Sequence, residues 1–146
     1  MNWLLALATA GLLCLAYPGV SLFWLAPLAL TPLILASARE RNPIRRFFQG
    51  WIAGFVYWFV VCYWIEFVLE VHGGMDLVLS WVGFLLFCAA NAIHMGGFAL
   101  LAGWAFRGPV GPAAVAALWV VTEWTHGPFT FGFSWLQLGN AGIDMA

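Results

Sequence analysis

The chain has 146 residues, 64% of them hydrophobic and only 8% charged, with a mean hydropathy of +0.95 and a formal net charge of −1. Soluble domains carry roughly 25% charged residues, so there is too little polar surface here to cover a core of this size in water. The composition excludes an ordinary soluble domain and predicts an all-α membrane protein. A transmembrane β-barrel is excluded as well. Its strands alternate apolar and polar positions over about ten residues, whereas these runs are long and continuously apolar.

About five spans can be marked in chain order. The first covers residues 2–16 and stops at the turn Tyr17-Pro18-Gly19. It lacks a basic flank, which makes it a retained span rather than a cleaved signal. The second covers 20–38, and Pro27 and Pro32 inside it predict tilted or kinked arms. The charged stretch "RERNPIRR" comes next, with Asn42-Pro43 as N-cap and first-turn proline of span three, residues 47–70. The turn "VHGGMD" leads to span four at 77–106, with Asp76 as its candidate N-cap. After "RGPVGP", span five covers 113–126, and His126-Gly127-Pro128 is expected to end it. The remainder, 127–146, stays apolar without reading as a helix. It is expected to line a crevice at membrane depth, because bare backbone there must be buried by protein or face a cavity.

Four arginines (Arg39, Arg41, Arg45, Arg46) lie between spans two and three, and Arg107 lies between spans four and five. An up-down path puts both loops on one face, and the positive-inside rule assigns that face to the cytoplasm. Glu66, Glu70 and Asp76 then gather towards the opposite face.

Glu123 is the most telling single residue. It falls near the middle of a ~30 Å hydrocarbon core, where a charge costs about 2.5–3.5 kcal/mol on insertion scales. Such a carboxylate is paired, protonated or functional; the structural alternative is a cap on a nearby indole or backbone N–H. Glu66 and Glu70 share a helix face at i, i+4, but in the last turns of span three they read as a solvated face. His94 reads as a polar interhelical contact. Cys88 lies six residues before it, about 9 Å along the axis and out of hydrogen-bond reach. Gly50 and Gly54 form a small-xxx-small face for close helix packing. Gly73-Gly74 is a flexible turn and not a phosphate loop, which would need a lysine and a preceding strand. Cys14, Cys62 and Cys88 all sit in apolar runs, so no disulfide framework is expected. No metal site, cofactor or nucleic-acid partner is expected. One rival reading is a small multi-pass transporter using Glu66, Glu70 and Glu123 as a proton or cation path; another is a scaffold binding partners through its Gly50–Gly54 face.

The blocks "LAYPG", "YWIEFVLEVHGGM" and "ALWVVTEWTHGPFTFGFSWLQLGNAGID" resemble, in order and spacing, the N-terminal membrane region of apolipoprotein N-acyltransferase. The resemblance covers essentially the whole chain. It implies part of an eight-helix membrane bundle that carries a nitrilase-like domain on its periplasmic side. The family moves an acyl chain from a phospholipid, through an enzyme thioester, to the amino group of the lipidated N-terminal cysteine of bacterial lipoproteins. The implied location is the bacterial inner membrane, multi-pass, with "GGM" and "GFSWLQLG" facing the periplasm. The implied partners are membrane phospholipid and diacylated lipoprotein; oligomeric state is left open. The family's Glu-Lys-Cys catalytic set belongs to the nitrilase-like domain and none of it matches here, so no catalytic residue is expected in this chain, which looks like a fragment or truncated relative. Trp64, Gly73, Gly74, Met75, Glu123, Trp124, Gly132, Phe133, Trp135 and Gln137 match the family pattern as lipid-path or site-supporting positions. His126 stands where the family commonly has Arg, and Ser134 where it has Pro.

Overall fold

The computed structural model describes residues 1–16, 22–129 and 138. Among these, the secondary structure is entirely helical. Helix α1 spans Asn2–Ala16, a run dominated by the strong helix formers Ala and Leu. The expected second span is broken: a 3₁₀ turn at Phe23–Leu25 precedes α2 (Ala26–Ala29) and α3 (Thr31–Arg39). Pro27 and Pro32 each fall in the first turn of their helix, where the missing N–H has no intrahelical partner to lose. The first-turn N–H of Leu33 is satisfied from another helix, donating to the buried Thr9 Oγ1 of α1 at 2.9 Å.

Helix α4 spans Pro43–Val61 and is capped by Asn42, whose side chain accepts from Ile44 N at 2.9 Å and Arg45 N at 3.3 Å. The long uninterrupted span three is not observed. The chain bends by 57° after α4 and continues as α5 (Trp64–Phe67) and a π-turn at Val68–His72. Helix α6 spans Leu77–Ala105, with Asp76 capping Val78 N at 3.0 Å and Leu79 N at 3.1 Å. Helix α7 spans Gly111–Phe129. It therefore runs past Gly127 and Pro128, beyond the stop expected at residue 126. A proline in the last turn takes away one hydrogen bond and leaves the helix able to finish. Among the described residues, α6 alone is long and apolar enough to cross a membrane, and α4 together with the bent segment to His72 makes a second candidate.

The most extensive pairing is α4 against α6, with α1 against α4 and α3. Gly50 and Gly54 lie in the α4–α6 seam. A Cβ on Gly50 would collide with Met95 O and stand 2.5 Å from Ala99 Cβ; one on Gly54 would stand 2.8 Å from Met95 Cβ. Glycine is what lets the two backbones approach. The Trp51 indole adds a cross-helix bond to Ala89 O at 3.0 Å. The core that results includes Leu13, Leu33, Tyr57, Phe84, Cys88 and Phe98.

The arginine loops meet at one end of the bundle. Arg107 donates from Nη2 to Ala38 O at 3.0 Å, and Arg46 donates from Nε to Glu40 O at 2.7 Å. Both guanidinium groups thus converge on the C-terminal end of α3, where unpaired carbonyls carry the negative end of the helix dipole. Arg46 is only 1% exposed, and Gly103 makes room for it, since a Cβ there would sit 2.6 Å from its Nε.

Candidate functional site

The bundle interior encloses a small cavity where α1, α4, α6 and α7 come together, lined by Leu13, Trp58, Met95, Thr122, Glu123 and His126 among others. Its volume, about 20 Å³, matches roughly one water molecule. Glu123 projects into it from α7. Its Oε1 accepts the backbone N–H of Leu138, so the carboxylate holds that residue against α7. Twelve residues into α7, it sits ~18 Å from the helix start.

Beside Glu123 lies a polar layer. Thr122 Oγ1 donates to Leu118 O at 2.8 Å, and Thr125 Oγ1 donates to Thr122 O at 2.6 Å. The Thr125 hydroxyl has one proton. Having given it to Thr122 O, the hydroxyl accepts at its 2.9 Å contact with His94 Nδ1, so the imidazole carries a proton on Nδ1. The His94 and His126 rings lie 4.1 Å apart by centroid, and His126 also meets Trp58 at 5.8 Å. His94 thus makes an interhelical contact from α6 to α7. The pairing with His126 was invisible in sequence, because the two lie 32 positions apart on different helices and no motif links them. Trp58 was missed for the same reason: in sequence it is one more aromatic in an apolar run.

The cavity continues outwards. A second space of about 310 Å³ shares Trp119, Glu123 and Leu138 with it and reaches Pro27. From Pro27 and Trp119 a groove of about 490 Å³ runs between α3 and α7, lined by residues such as Ile34, Leu35, Val115 and Val120. An apolar groove therefore leads to a carboxylate.

The other positions expected to act with Glu123 are distributed differently. Trp64 and Met75 are exposed at the end of the bundle away from the arginine loops, and Gly74 holds the positive φ of 65° that its turn requires. Gly73 is squeezed against Leu69, 2.5 Å from its carbonyl oxygen if given a Cβ. Trp124 is 69% exposed and points away from the cavity. Gly132, Phe133, Trp135 and Gln137 lie outside the described residues. Glu66 and Glu70 are half-buried, beside the exposed Tyr63, Phe67 and Val71. Cys62 and Cys88 are buried. Among the described residues no three His, Cys, Asp or Glu side chains are placed to hold a metal ion.

Comparison with known proteins places the chain in a family. Residues 9–146 match the family model of the apolipoprotein N-acyltransferase N-terminal domain. The apolipoprotein N-acyltransferase of Pseudomonas syringae pv. tomato is 32% identical over 160 residues, covering 99% of this chain and 31% of the relative. That of Pseudomonas putida is 33% identical over 159 residues, again with 99% and 31% coverage. That of Azotobacter vinelandii is 35% identical over 148 residues, covering 97% of this chain and 28% of the relative. The chain spans under a third of the length of these relatives. With its match running from residue 9 to residue 146, the chain belongs to the apolipoprotein N-acyltransferase family, where it corresponds to the N-terminal domain.

Proposed function

We propose that this chain is the membrane portion of an apolipoprotein N-acyltransferase, an enzyme that acylates the lipidated N-terminal cysteine of bacterial lipoproteins with phospholipid as donor. The match to the N-terminal domain model carries the proposal. In this reading the chain is part of an eight-helix bundle, supplies about five of its membrane passes, anchors the enzyme in the bacterial inner membrane and forms the funnel through which lipid reaches the chemistry. The arginine loops face the cytoplasm, and the 73–75 and 132–139 segments face the periplasm. The convergence of Arg46 and Arg107 on one end of α3 supports a shared side for the two loops. Phospholipid and the diacylated lipoprotein are the partners.

The groove between α3 and α7 supports the funnel role. Its walls are apolar, as acyl chains require, and it ends at Glu123, the only acidic side chain among the described residues that line these cavities. Glu123 holds the rim by accepting the Leu138 N–H. A glutamine keeps that acceptor and an alanine removes it. In the complete enzyme, Glu123→Gln is expected to retain most N-acylation of a lipoprotein peptide in proteoliposomes, and Glu123→Ala to lose activity or folding yield. Wild-type activity and yield in Glu123→Ala would sink the funnel role. A photoactivatable phospholipid should, in addition, label Val120 or Leu35 in preference to the buried Phe84.

A further inference from the structure

The 57° bend after α4 has a depth. Helix α4 contains 19 residues, about 28 Å at 1.5 Å each, and the hydrocarbon core of a bilayer is ~30 Å thick. Arg45 and Arg46 keep the first turn of α4 out of the hydrocarbon, so Phe47 to Val61 cover about 22 Å and the chain turns within roughly the last 8 Å before the opposite boundary. Beyond the bend, the arm Trp64–His72 runs continuously through α5 and the π-turn, and its exposed face is apolar and aromatic. Tyr63 is 70% exposed, Phe67 56% and Val71 55%, with Trp64 and Val68 exposed beside them. These recur at i, i+4 and form one stripe. On the opposite side Ile65 and Leu69 pack against the core, Leu69 towards Gly83 of α6, and Glu66 and Glu70 lie half-buried on the flank between.

We infer that this arm is an interfacial element: Tyr63, Trp64, Phe67 and Val71 rest in the acyl–headgroup boundary of the leaflet opposite the arginine loops. The inference rests on the membrane reading above and adds to it a membrane-binding surface at a defined depth. Three observations favour lipid over another protein surface. Tyr and Trp are the side chains whose rings suit that boundary, apolar at one end and polar at the other. Beyond the turn at 72–76, Leu77, Val78 and Val82 are exposed too, on α6, the helix that is itself long and apolar enough to cross. The bend directs the arm away from the axis of α4 at the depth where interfacial helices lie.

The test uses the complete protein carrying Cys14→Ala and alanine at any cysteine outside residues 1–146, in phosphatidylcholine–phosphatidylglycerol vesicles. An environment-sensitive fluorophore is placed singly through Phe67→Cys, Val71→Cys or Ile93→Cys; Ile93, 54% exposed on α6, reports the mid-membrane. The native Cys62 and Cys88 are buried and stay unlabelled. At the Phe67 and Val71 sites, lipid spin labels near the headgroup should quench at least ~2-fold more than labels deep in the chain, and the order should reverse at Ile93. Deep quenching at Phe67 and Val71 would mean a continuous span and overturn the inference. Iodide quenching without lipid quenching would mean an arm in water, and protection from both would mean cover by another protein segment; either overturns it. Loss of deep quenching at Ile93 would instead overturn the membrane reading on which the arm depends.

Discussion

Replacing Gly50 with alanine adds one methyl group at the closest approach of α4 and α6. That Cβ would collide with the Met95 carbonyl oxygen and lie 2.5 Å from Ala99 Cβ. Carbon atoms in good contact sit about 3.5–4.0 Å apart, so the helices must separate locally by about 1 Å. The obstacle is backbone on one side and a Cβ on the other, so no rotamer change relieves it. Overpacking of this kind costs about 1–3 kcal/mol, which offsets any gain in helix propensity of about 1 kcal/mol from removing a glycine. Thermal unfolding in detergent micelles should show a Tm lower by several degrees. Gly11→Ala is the control, because a Cβ there meets nothing within 4 Å; its Tm should hold or rise. Adding Ala99→Gly to Gly50→Ala should restore only part of the loss, since the Met95 carbonyl remains in the way. Equal Tm values for Gly50→Ala and wild type would refute the close-packed seam.

Asp76→Ala removes the cap on Val78 and Leu79; it should cost about 1 kcal/mol, seen as faster amide exchange in the first turn of α6. Arg46→Lys keeps the charge and loses the planar fork that reaches Glu40 O. It is expected to cost about 1.5–3 kcal/mol in chemical unfolding, and Tm unchanged from wild type would count against the clamp on α3. Glu40 lies in the α3–α4 link, and its carboxyl is held below the usual range, first by the Asn42 N–H and then by the Arg41 N–H, with burial opposing. A group whose folded pKa is depressed stabilises the protein above its unfolded value, about 4.3, and the contribution is lost as pH falls through the folded pKa. Glu40→Gln should flatten this acid limb of a Tm-versus-pH profile; an unchanged limb would assign it to other groups.

Much of the fold was legible because the signals are local. Asn42-Pro43 and Asp76 are capping residues whose side chains act within three positions, and Pro27 and Pro32 break the second span by removing backbone donors. The bend after Val61 was hidden because its cause is not a proline or glycine: "VVCYWIEF" is apolar almost throughout, and nothing in it states where the helix must turn. The same gap left the surroundings of Glu66 and Glu70 open, since a period of four identifies a shared face without saying what that face meets. Glu123 was legible because a carboxylate in an apolar run is costly wherever the run lies. Its partner was not, because the Leu138 N–H comes from 15 residues away. The His94–His126 pair and the burial of Arg46 likewise depend on how α3, α4, α6 and α7 are arranged, which pattern and propensity do not encode.

The most direct test of the central claim is the mass of a lipoprotein's N-terminal peptide from bacteria depleted of their own apolipoprotein N-acyltransferase and expressing the complete protein that contains this chain. An increase equal to one amide-linked acyl chain, absent when residues 1–146 are deleted, is the result predicted. An unmodified diacyl peptide, with the protein present and folded in the membrane, would contradict the claim.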